Sequence, residues 1–254
     1  MNKEVERFFI KNKQGSHVGM IISFIIFITF VVFVLVVLKP AINIGEGRQI
    51  TLEDTKSKIM ENVSANYTTA SINFEDARNP NRYCVTFQGI IAILGIMPPY
   101  RVIIKNESGN LQKSYLYDPT IADIEVNRGN RNNMFFRLYE SPRFAGLTSN
   151  TTIRCDILNS TYYEIGSVYS GKYVFESAVK ELIKEYNQHY EDVKTELKIS
   201  SANDFSFSLT LSNGSRIEAV KNINAKNIYA QETPIQYVDE NANIQSGYII
   251  VKIW

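Results

Sequence analysis

The feature of the sequence that most constrains the fold is an uncharged apolar run near the N-terminus. Residues 18–38 include no charged residue, and only Gly19, Ser23 and Thr29 among them are not apolar. About 20 such residues, at a helical rise of about 1.5 Å each, cross the hydrocarbon core of a bilayer. Because every backbone polar group must be satisfied within a segment surrounded by lipid, the run is predicted to be a transmembrane helix.

A cleaved secretory signal is the alternative interpretation of this run. The apolar region of such a signal has about 7–15 residues and is followed by a small-residue cleavage site. Here the run is longer, and it ends at Lys39-Pro40. A retained membrane anchor is therefore predicted.

The charges that flank the run predict its orientation. Only Lys39 and Arg48 follow it closely, whereas a larger group of basic residues precedes it. That group consists of Lys3, Arg7, Lys11 and Lys13. The positive-inside rule then places residues 1–17 in the cytoplasm and residues 40–254 outside. The expected localisation is the cell membrane, with one pass and an extracytoplasmic C-terminal region.

The composition of the whole chain narrows the function classes. The 254 residues include 27 Lys and Arg against 26 Asp and Glu, for a net charge of +1, whereas proteins that grip nucleic acid are usually far more basic. Two cysteines and two histidines offer little for a thiolate-rich metal cluster or for histidine-based catalysis. Membrane lipid is therefore an expected partner, and nucleic acid, a metal or a cofactor is not.

Two cysteines and six glycosylation sequons lie in the part predicted to be outside. Cys84 and Cys155 would occupy a compartment in which a disulfide persists, and they are predicted to form one. Two free buried cysteines are the alternative. The Asn-x-Ser/Thr acceptors fit a secreted domain. They are Asn62, Asn66, Asn106, Asn150, Asn159 and Asn213.

Hydrophobic periodicity predicts an α+β fold, in which a single N-terminal transmembrane helix is followed by a strand-rich extracytoplasmic region with one long amphipathic helix. The predicted divisions are residues 1–17 as a cytoplasmic basic head or leader, 18–38 as the transmembrane helix, 39–65 as a linker and a short helix, 66–170 as a β-rich part, and 171–254 as a helix plus β-hairpins. Within the linker, Thr51-x-x-Asp54 is typical of a capping box that begins a helix near residues 52–64.

The strands of the β-rich part are predicted from short segments that are either apolar throughout or alternate between apolar and polar residues. Turn residues separate several of these segments. They cover residues 69–74, 83–87, 100–104, 114–117, 121–126, 134–139, 152–158 and 162–169. A helix is predicted over residues 173–200, where apolar residues recur every three or four positions.

Hairpins are predicted after this helix. Phe205, Phe207 and Leu209 alternate with polar residues, which indicates a half-buried strand, and Asn213-Gly214 is typical of a tight turn. A second hairpin is predicted from residues 235–238 and 248–254. Because the last of these segments is apolar on both faces, we expect an interior strand or one covered by a partner.

Two local patterns look like ligand sites but are interpreted as turns. Residues 166–172 have the G-x-x-x-x-G-K spacing of a phosphate loop, but Tyr173 stands where Ser or Thr would hold magnesium. Residues 239–243 begin like a calcium loop, but Ile244 and Ile250 stand where Gly and Glu are required. A strand-to-helix turn and a polar hairpin turn are predicted.

A histidine, two acidic pairs and a second apolar run are further candidate sites. His189 is expected to be a solvated residue, and the pairs Glu53-Asp54 and Glu75-Asp76 are expected at a helix start and in a turn. Residues 89–99 form an uncharged run too short to span a bilayer. It is either a buried strand and turn or an apolar loop that meets a partner or the membrane surface.

The N-terminus resembles a known family. The basic head Lys11-Asn12-Lys13-Gln14-Gly15-Ser16 is followed at once by the apolar run, and this arrangement is similar to the class III signals of archaeal type IV pilin-like proteins. The resemblance implies that a prepilin peptidase cuts at Lys13|Gln14 or at Gly15|Ser16. A typical pilin of this kind has a long continuous helix, which Pro40 is expected to interrupt here.

The C-terminal end also resembles uncharacterised archaeal membrane-anchored proteins with this type of N-terminus. The resemblance runs from Tyr173 and includes Asp204-Phe205-Ser206-Phe207, Gln236-Tyr237-Val238-Asp239 and Ile253-Trp254. It implies no activity.

These observations lead to one expected function and two alternatives. The leading expectation is a non-enzymatic, membrane-anchored extracytoplasmic surface protein with a structural or interaction role. The first alternative is a type IV pilin-like subunit or pilus-associated protein, whose partners would be further copies of the chain or other components of a pilus or membrane complex. An extracytoplasmic enzyme is the second alternative.

Overall fold

The computed structural model describes residues 15–74, 83–118, 123–128, 134–149, 155–219, 221, 225 and 227–254. The helices are α1 (Gly15–Val63), α2 (Ile90–Ile93), α3 (Glu176–Gln188) and α4 (Tyr190–Glu196). The strands are β1 (Ser64–Phe74), β2 (Cys84–Phe87), β3 (Val102–Asn106), β4 (Leu111–Gln112), β5 (Ser114–Asp118), β6 (Asp123–Asn127), β7 (Phe135–Glu140), β8 (Asp156–Leu158), β9 (Tyr163–Phe175), β10 (Phe205–Thr210), β11 (Arg216–Glu218), β12 (Tyr229–Val238) and β13 (Ile244–Ile253). The chain divides into two units, with the boundary between Glu53 and Asp54, and α1 contributes to both.

The described part of the first unit is the N-terminal portion of α1. This helix has 49 residues and continues without a break through Pro40. The linker predicted within residues 39–65 is therefore wrong, as is the expectation that Pro40 interrupts the helix. A proline inside a helix costs about 3 kcal/mol because it removes one backbone hydrogen bond and crowds the preceding turn. A helix that already exists on the N-terminal side nevertheless propagates more easily than a new one starts.

The capping box predicted at Thr51 and Asp54 is also wrong. The hydroxyl of Thr51 donates a hydrogen bond to the carbonyl oxygen of Gly47 at 3.0 Å, one turn earlier in the same helix. Since the backbone before Thr51 is already helical, no helix begins there. The helix predicted near residues 52–64 is present as the last turns of α1.

A large antiparallel sheet forms the frame of the second unit. Within the described residues it has nine strands, in the order β11-β10-β13-β12-β9-β1-β7-β3-β4. Among these nine described strands, only β9 and β12 are parallel neighbours, and they pair over a short stretch that includes Val174 and Tyr237. The central strand β1 pairs along most of its length with β9. The predicted α+β fold with a strand-rich region is confirmed.

A second sheet, with the order β5-β6-β2-β8 in the described part of the chain, shares a core with strands of the large sheet. All of β2 and most of β6 are buried, so both faces of these two strands are covered. The rings of Phe74 on β1, Phe87 on β2 and Phe136 on β7 meet there, with centroids 5.6–6.1 Å apart. The core includes Ala70, Ile72, Val85, Ile90, Ile91, Val102, Ile104, Leu116, Ile124, Val126, Leu138, Leu158 and Tyr163.

A further buried region involves α3 and the C-terminal hairpins. The buried residues of α3 recur every three or four positions, which is the apolar face predicted for this helix. The ring of Tyr186 lies edge-on to Phe205 and Phe207 of β10, with centroids 5.3 and 5.8 Å away. Its hydroxyl donates to the carbonyl oxygen of Phe205.

The long helix predicted over residues 173–200 differs from the structure at its start and at its centre. Residues 173–175 belong to β9, where Tyr173 and Val174 pair with the first residues of β1 and Phe175 pairs with Val238 of β12. The helix begins at Glu176 and breaks at His189, which separates α3 from α4. Both differences have a physical reason: the ladder with β1 holds the first residues extended, and Asn187 and His189 are weak helix formers.

The two outer parts predicted at residues 66–170 and 171–254 share the large sheet. Strand β9 crosses the predicted boundary at residue 171 without a break. Because strands from both predicted parts hydrogen-bond to one another in a single sheet, the parts are not separate domains. The described chain from Asp54 onwards forms one unit.

Each predicted strand of the β-rich part coincides at least in part with an observed one. Strands β1 and β9 are longer than predicted, and the short β4 was not predicted. Residues 121–122 and 152–154 lie outside the described residues. Both C-terminal hairpins are present, as β10–β11 and β12–β13. The last strand, β13, is interior as expected, because it lies between β10 and β12.

Candidate functional site

The apolar segment of α1 is the first feature that bears on function. Residues His17–Val37 form the one helical segment, among the described residues, that is long and apolar enough to cross a membrane. Its large side chains are exposed around the helix; Phe24 and Phe33, for example, are 63% and 64% exposed. The hydroxyl of Thr29 donates to the carbonyl oxygens of Ile25 and Ile26 at 2.9 Å, so its one polar hydrogen is satisfied inside the helix. By length and composition this segment suits a membrane anchor or a signal sequence.

The residues predicted to be processed lie at the start of this helix. Gly15 and Ser16 are the first residues of α1. Lys13 and Gln14, together with the rest of the basic head, lie outside the described residues. The candidate cleavage bond between Gly15 and Ser16 therefore lies in the first turn of a helix. The other candidate bond, between Lys13 and Gln14, lies outside the described residues.

Cys84 and Cys155 form a disulfide bond in the structure. Cys84 begins β2 and Cys155 directly precedes β8, and these two strands are parallel neighbours in register. The bridge therefore ties one end of a strand pair whose members are 71 residues apart in the chain. The carboxyl group of the buried Glu125 lies within 4.8 Å of both sulfurs. Since the sulfurs are bonded to each other, neither is a thiolate that could hold a metal ion.

The sequon asparagines occupy different environments. The side chains of Asn66, Asn159 and Asn213 are exposed, and Asn106 is half-buried. In the turns at Asn159 and Asn213, the side-chain oxygen accepts hydrogen bonds from the backbone N–H and the hydroxyl of the sequon residue two positions later.

Asn62 is less open than these residues. It is half-buried in α1, and its amide lies 3.4 Å from Oε1 of Glu196. Asn150 lies outside the described residues. The exposed turns at Asn159 and Asn213 are the positions where a glycan meets the least obstruction.

A polar group, which we call the hairpin-tip cluster, consists of the buried Tyr67 and Lys105 and the half-buried Tyr139, Asp239 and Asn243. Strands β1, β3 and β7 provide the first three residues, and the β12–β13 turn provides the other two. The hydroxyl of Tyr67 donates to the carbonyl oxygen of Ala242 at 2.9 Å. The Nζ atom of Lys105 lies 2.5 Å from Oδ1 of Asn243 and 5.0 Å from the centre of the Tyr139 ring.

The turn that completes this cluster is organised by Asp239. One oxygen of its carboxylate accepts the backbone N–H groups of Asn241 and Asn243, and the other accepts the side-chain amide of Asn243 at 2.9 Å. Ala242 takes a left-handed conformation, with φ of 56°, to close the turn. Because the carboxylate is engaged by amides, residues 239–243 form the polar turn that was predicted.

Electrostatics in the hairpin-tip cluster follow from burial. Burial lowers the pKa of Lys105; the charge of Asp239 opposes this effect and that of Arg137 adds to it. Burial also raises the pKa of Tyr67 far above its usual range, with smaller contributions from Tyr139 and Asp239. Tyr67 is therefore a neutral donor at any physiological pH, while Lys105 gives up its proton more readily than an exposed lysine.

A second polar cluster surrounds Asp204 at the start of β10. One oxygen of its carboxylate accepts hydrogen bonds from Tyr190, Lys194 and Lys221, at 2.7, 3.3 and 3.0 Å. Burial alone would raise the pKa of Asp204, but these three donors outweigh it and lower the pKa to about 2. The Nζ atom of Lys221 also lies 3.3 Å from the centre of the Tyr190 ring. This network fastens α4 to the strand that follows it.

The phosphate-loop pattern at residues 166–172 lies in strand β9, so neither a phosphate loop nor the predicted strand-to-helix turn is present. Gly166 lies opposite a bulge, where the register with β1 shifts between Ala70 and Ile72. A Cβ atom at residue 166 would stand 2.4 Å from Oγ of Ser71. The glycine is therefore explained by the close approach of two strands.

The remaining candidate residues are His189 and the two acidic pairs. His189 is exposed at the break between α3 and α4, as predicted for a solvated residue. Glu53 and Asp54 lie inside α1 and not at a helix start, while residues 75–76 lie outside the described chain.

The apolar run at residues 89–99 is a short helix and a turn rather than a strand. Ile90 and Ile91 are buried in the shared core, whereas Ile93 and Met97 are 56% and 78% exposed. The first part of the run therefore belongs to the shared core, and the later part presents apolar side chains at the surface.

Comparison with protein-family models, with curated proteins and with solved structures finds no match for the chain. The function of the protein is therefore inferred from the chemistry of its described residues. Neither the hairpin-tip cluster nor the Asp204 cluster is predictable from the local sequence. No local signal could have indicated the contact of Lys105 with Asn243, because 138 residues separate them.

Proposed function

We propose that the protein is a non-enzymatic, membrane-anchored surface protein whose strand-rich unit lies outside the cytoplasm and has a structural or interaction role. The observation that carries the proposal is the disulfide between Cys84 and Cys155 in a unit that follows a 21-residue apolar helical segment. Disulfides persist in oxidising compartments and are rare in the cytosol. This agrees with the orientation that the basic residues before the helix predict.

The polar groups of the strand-rich unit support a structural role. The Asp204 cluster and the hairpin-tip cluster are composed of groups from different helices, strands and turns that bind one another. Buried polar networks whose members are satisfied fix one arrangement of a core. The expected partners are membrane lipid, around the exposed apolar side chains of α1, and other proteins at the cell surface.

Protease treatment of intact cells tests the proposed orientation. Protease outside the cell should digest residues 40–254 and leave the membrane segment with its basic head, and carbonate extraction should leave the chain in the membrane. Permeabilised cells and a cytoplasmic protein serve as controls. A strand-rich unit that is digested only after permeabilisation would contradict the orientation.

A pilin-like subunit is the second candidate, and one observation favours it. The resemblance of the N-terminus implies a long continuous helix, and α1 continues for 49 residues through Pro40. Helices of this kind can exchange lipid contacts for packing against identical helices, since their backbone is already satisfied. The charges of the basic head oppose that exchange, at about 2.5–3.5 kcal/mol for each charge moved into the membrane. A peptidase that removes the head removes this cost.

Sequencing of the mature N-terminus separates the two candidates. If the pilin-like function is correct, the mature chain should begin at Gln14 or Ser16. The same chain expressed in a host without a prepilin peptidase is the control, and it should retain the head. A mature protein that begins at Met1 or Asn2 in its own cell would exclude filament entry and leave the anchored surface role.

A further inference from the structure

Lys105 has an unusual environment for a lysine. Its residue is 3% exposed, although an ammonium group is strongly hydrated and is rarely buried. Its Nζ atom contacts Oδ1 of Asn243 at 2.5 Å, and the ring of Tyr139 lies next to it. The ring of Tyr67 stacks on that of Tyr139 with centroids 5.9 Å apart, so the amine lies over a pair of stacked aromatic rings.

Asp239 holds the amide of Asn243 from the opposite end. Its carboxylate accepts the Nδ2–H group of Asn243 at 2.9 Å, and it also accepts the backbone N–H of the same residue at 2.8 Å. The amide therefore has an amine at its oxygen and a carboxylate at its nitrogen. The backbone of Lys105 is fixed in β3 and that of Asn243 in the β12–β13 turn, so the amine already contacts the amide, and the amide already contacts the carboxylate, before any reaction takes place.

The environment also favours the reactive form of the lysine. Burial lowers the pKa of Lys105, and the positive charge of Arg137 acts in the same direction, while Asp239 opposes them. A lowered pKa increases the fraction of neutral amine, and the neutral amine is the nucleophile.

We propose that Lys105 and Asn243 form an intramolecular isopeptide bond, with Asp239 as the group that transfers the proton. The neutral amine of Lys105 attacks Cγ of Asn243, so a bond forms between Nζ and Cγ. One proton from Nζ passes through the carboxylate of Asp239 to Nδ2. The bond between Cγ and Nδ2 then breaks, and ammonia leaves. The reaction consumes no oxidant, cofactor or second substrate.

The position of the bond indicates its purpose. It joins β3, near one edge of the large sheet, to the turn between β12 and β13, which lie on the other side of β1 and β9 in the strand order. Non-covalent contacts hold this turn, among them the hydrogen bonds to Tyr67 and Lys105 and the ion pair of Glu240 with Lys180. A covalent link would keep the C-terminal hairpin attached when the chain is heated or pulled, which suits a protein at a cell surface.

Mass spectrometry of the full-length chain, purified from its membrane in detergent, tests the proposal without any variant. The intact mass should be lower than expected by one molecule of ammonia. A tryptic digest should contain one branched peptide that includes Lys105 and Asn243, because trypsin does not cut after an acylated lysine. Cyclisation of Gln14 at a new N-terminus and succinimide formation at Asn213-Gly214 release the same mass, so the branched peptide is the deciding observation. Recovery of the two peptides unlinked would overturn the proposal.

Variants test the role of each group. Lys105→Met and Asn243→Ala should restore the missing ammonia and abolish the branched peptide. Asn241→Ala is the matched control, because it removes an exposed side chain of the same turn, and it should keep the link. Asp239→Asn retains an oxygen for the backbone amides but should lose the link. A folded Asp239→Asn protein that is linked as completely as the wild type would refute the role of Asp239 in proton transfer.

Discussion

The disulfide between Cys84 and Cys155 gives a quantitative prediction for stability. The bridge closes a loop of 71 residues, and this loop includes strands of both sheets, from β2 to β7. The chain-entropy relation gives about 4 kcal/mol at 25 °C for a loop of this length, because the cross-link removes conformations from the unfolded chain. Both cysteines are buried, so the variant Cys84→Ala/Cys155→Ala introduces no buried polar group.

Urea unfolding of the full chain in detergent, followed by tryptophan or tyrosine fluorescence, measures this contribution. With a urea slope of about 2 kcal/mol per M, a loss of about 4 kcal/mol lowers the midpoint by about 2 M. Reduction of the wild type should move its midpoint to that of the double variant, whose own midpoint should not respond to reductant. A double variant whose midpoint falls by less than about 0.5 M, measured against a fully oxidised wild type, would refute the argument from loop closure.

Three further predictions concern packing, charge and glycosylation. Gly247→Ala should destabilise the fold by about 1–3 kcal/mol in the same urea assay, because the new Cβ would stand 2.4 Å from the backbone oxygen of Thr210; Gly146→Ala, whose Cβ would meet nothing within 4 Å, should have little effect. The lowered pKa of Asp204 means that its stabilisation is present above the usual carboxyl pKa and is lost as the pH falls towards about 2. Relative to Asp204→Asn, the wild type should therefore lose about 1 kcal/mol between about pH 4 and pH 2, after allowance for the screening of a carboxylate that is 36% exposed. Asn159→Gln should reduce the mass of the cell-surface protein by one glycan. An unchanged mass would show that Asn159 carries no glycan.

The parts of the fold that the sequence predicts well are those set by local chemistry. Alternation of Phe205 and Phe207 with serines predicts β10, and Asn213-Gly214 predicts the turn after it, where Gly214 has a φ of 81°. Alternation does not reveal what covers the other face. Ser206 and Ser208 are buried as well, and Nε of Arg216 on β11 donates a hydrogen bond to Oγ of Ser208 at 2.9 Å. The prediction of a half-buried strand is wrong in that respect.

Helix and strand boundaries fail where tertiary contacts outweigh local preference. Pro40 indicates the end of a helix, yet α1 continues through it. Tyr173 belongs to the apolar helical pattern, yet β1 captures it as a strand residue, through the pair of Ala65 with Tyr173. In both cases the free-energy cost of the locally disfavoured conformation is a few kcal/mol at most. Contacts with a neighbouring element that is already formed contribute a stabilising free energy of comparable size.

The hairpin-tip cluster illustrates why the candidate site was harder to predict than the fold. Each of its members has an ordinary local explanation: Lys105 lies in a strand, and Asp239 and Asn243 lie in a polar turn. Their chemistry arises only because the pleat of β3 directs Lys105 to the same face as Tyr139, and because the turn between β12 and β13 closes over that face. Burial then changes the properties of the lysine in a way that an exposed lysine in the same sequence context would not share. Reactivity in this protein is therefore a property of the contact between distant segments, and the sequence motifs that suggested nucleotide or calcium binding belong to a strand and a turn.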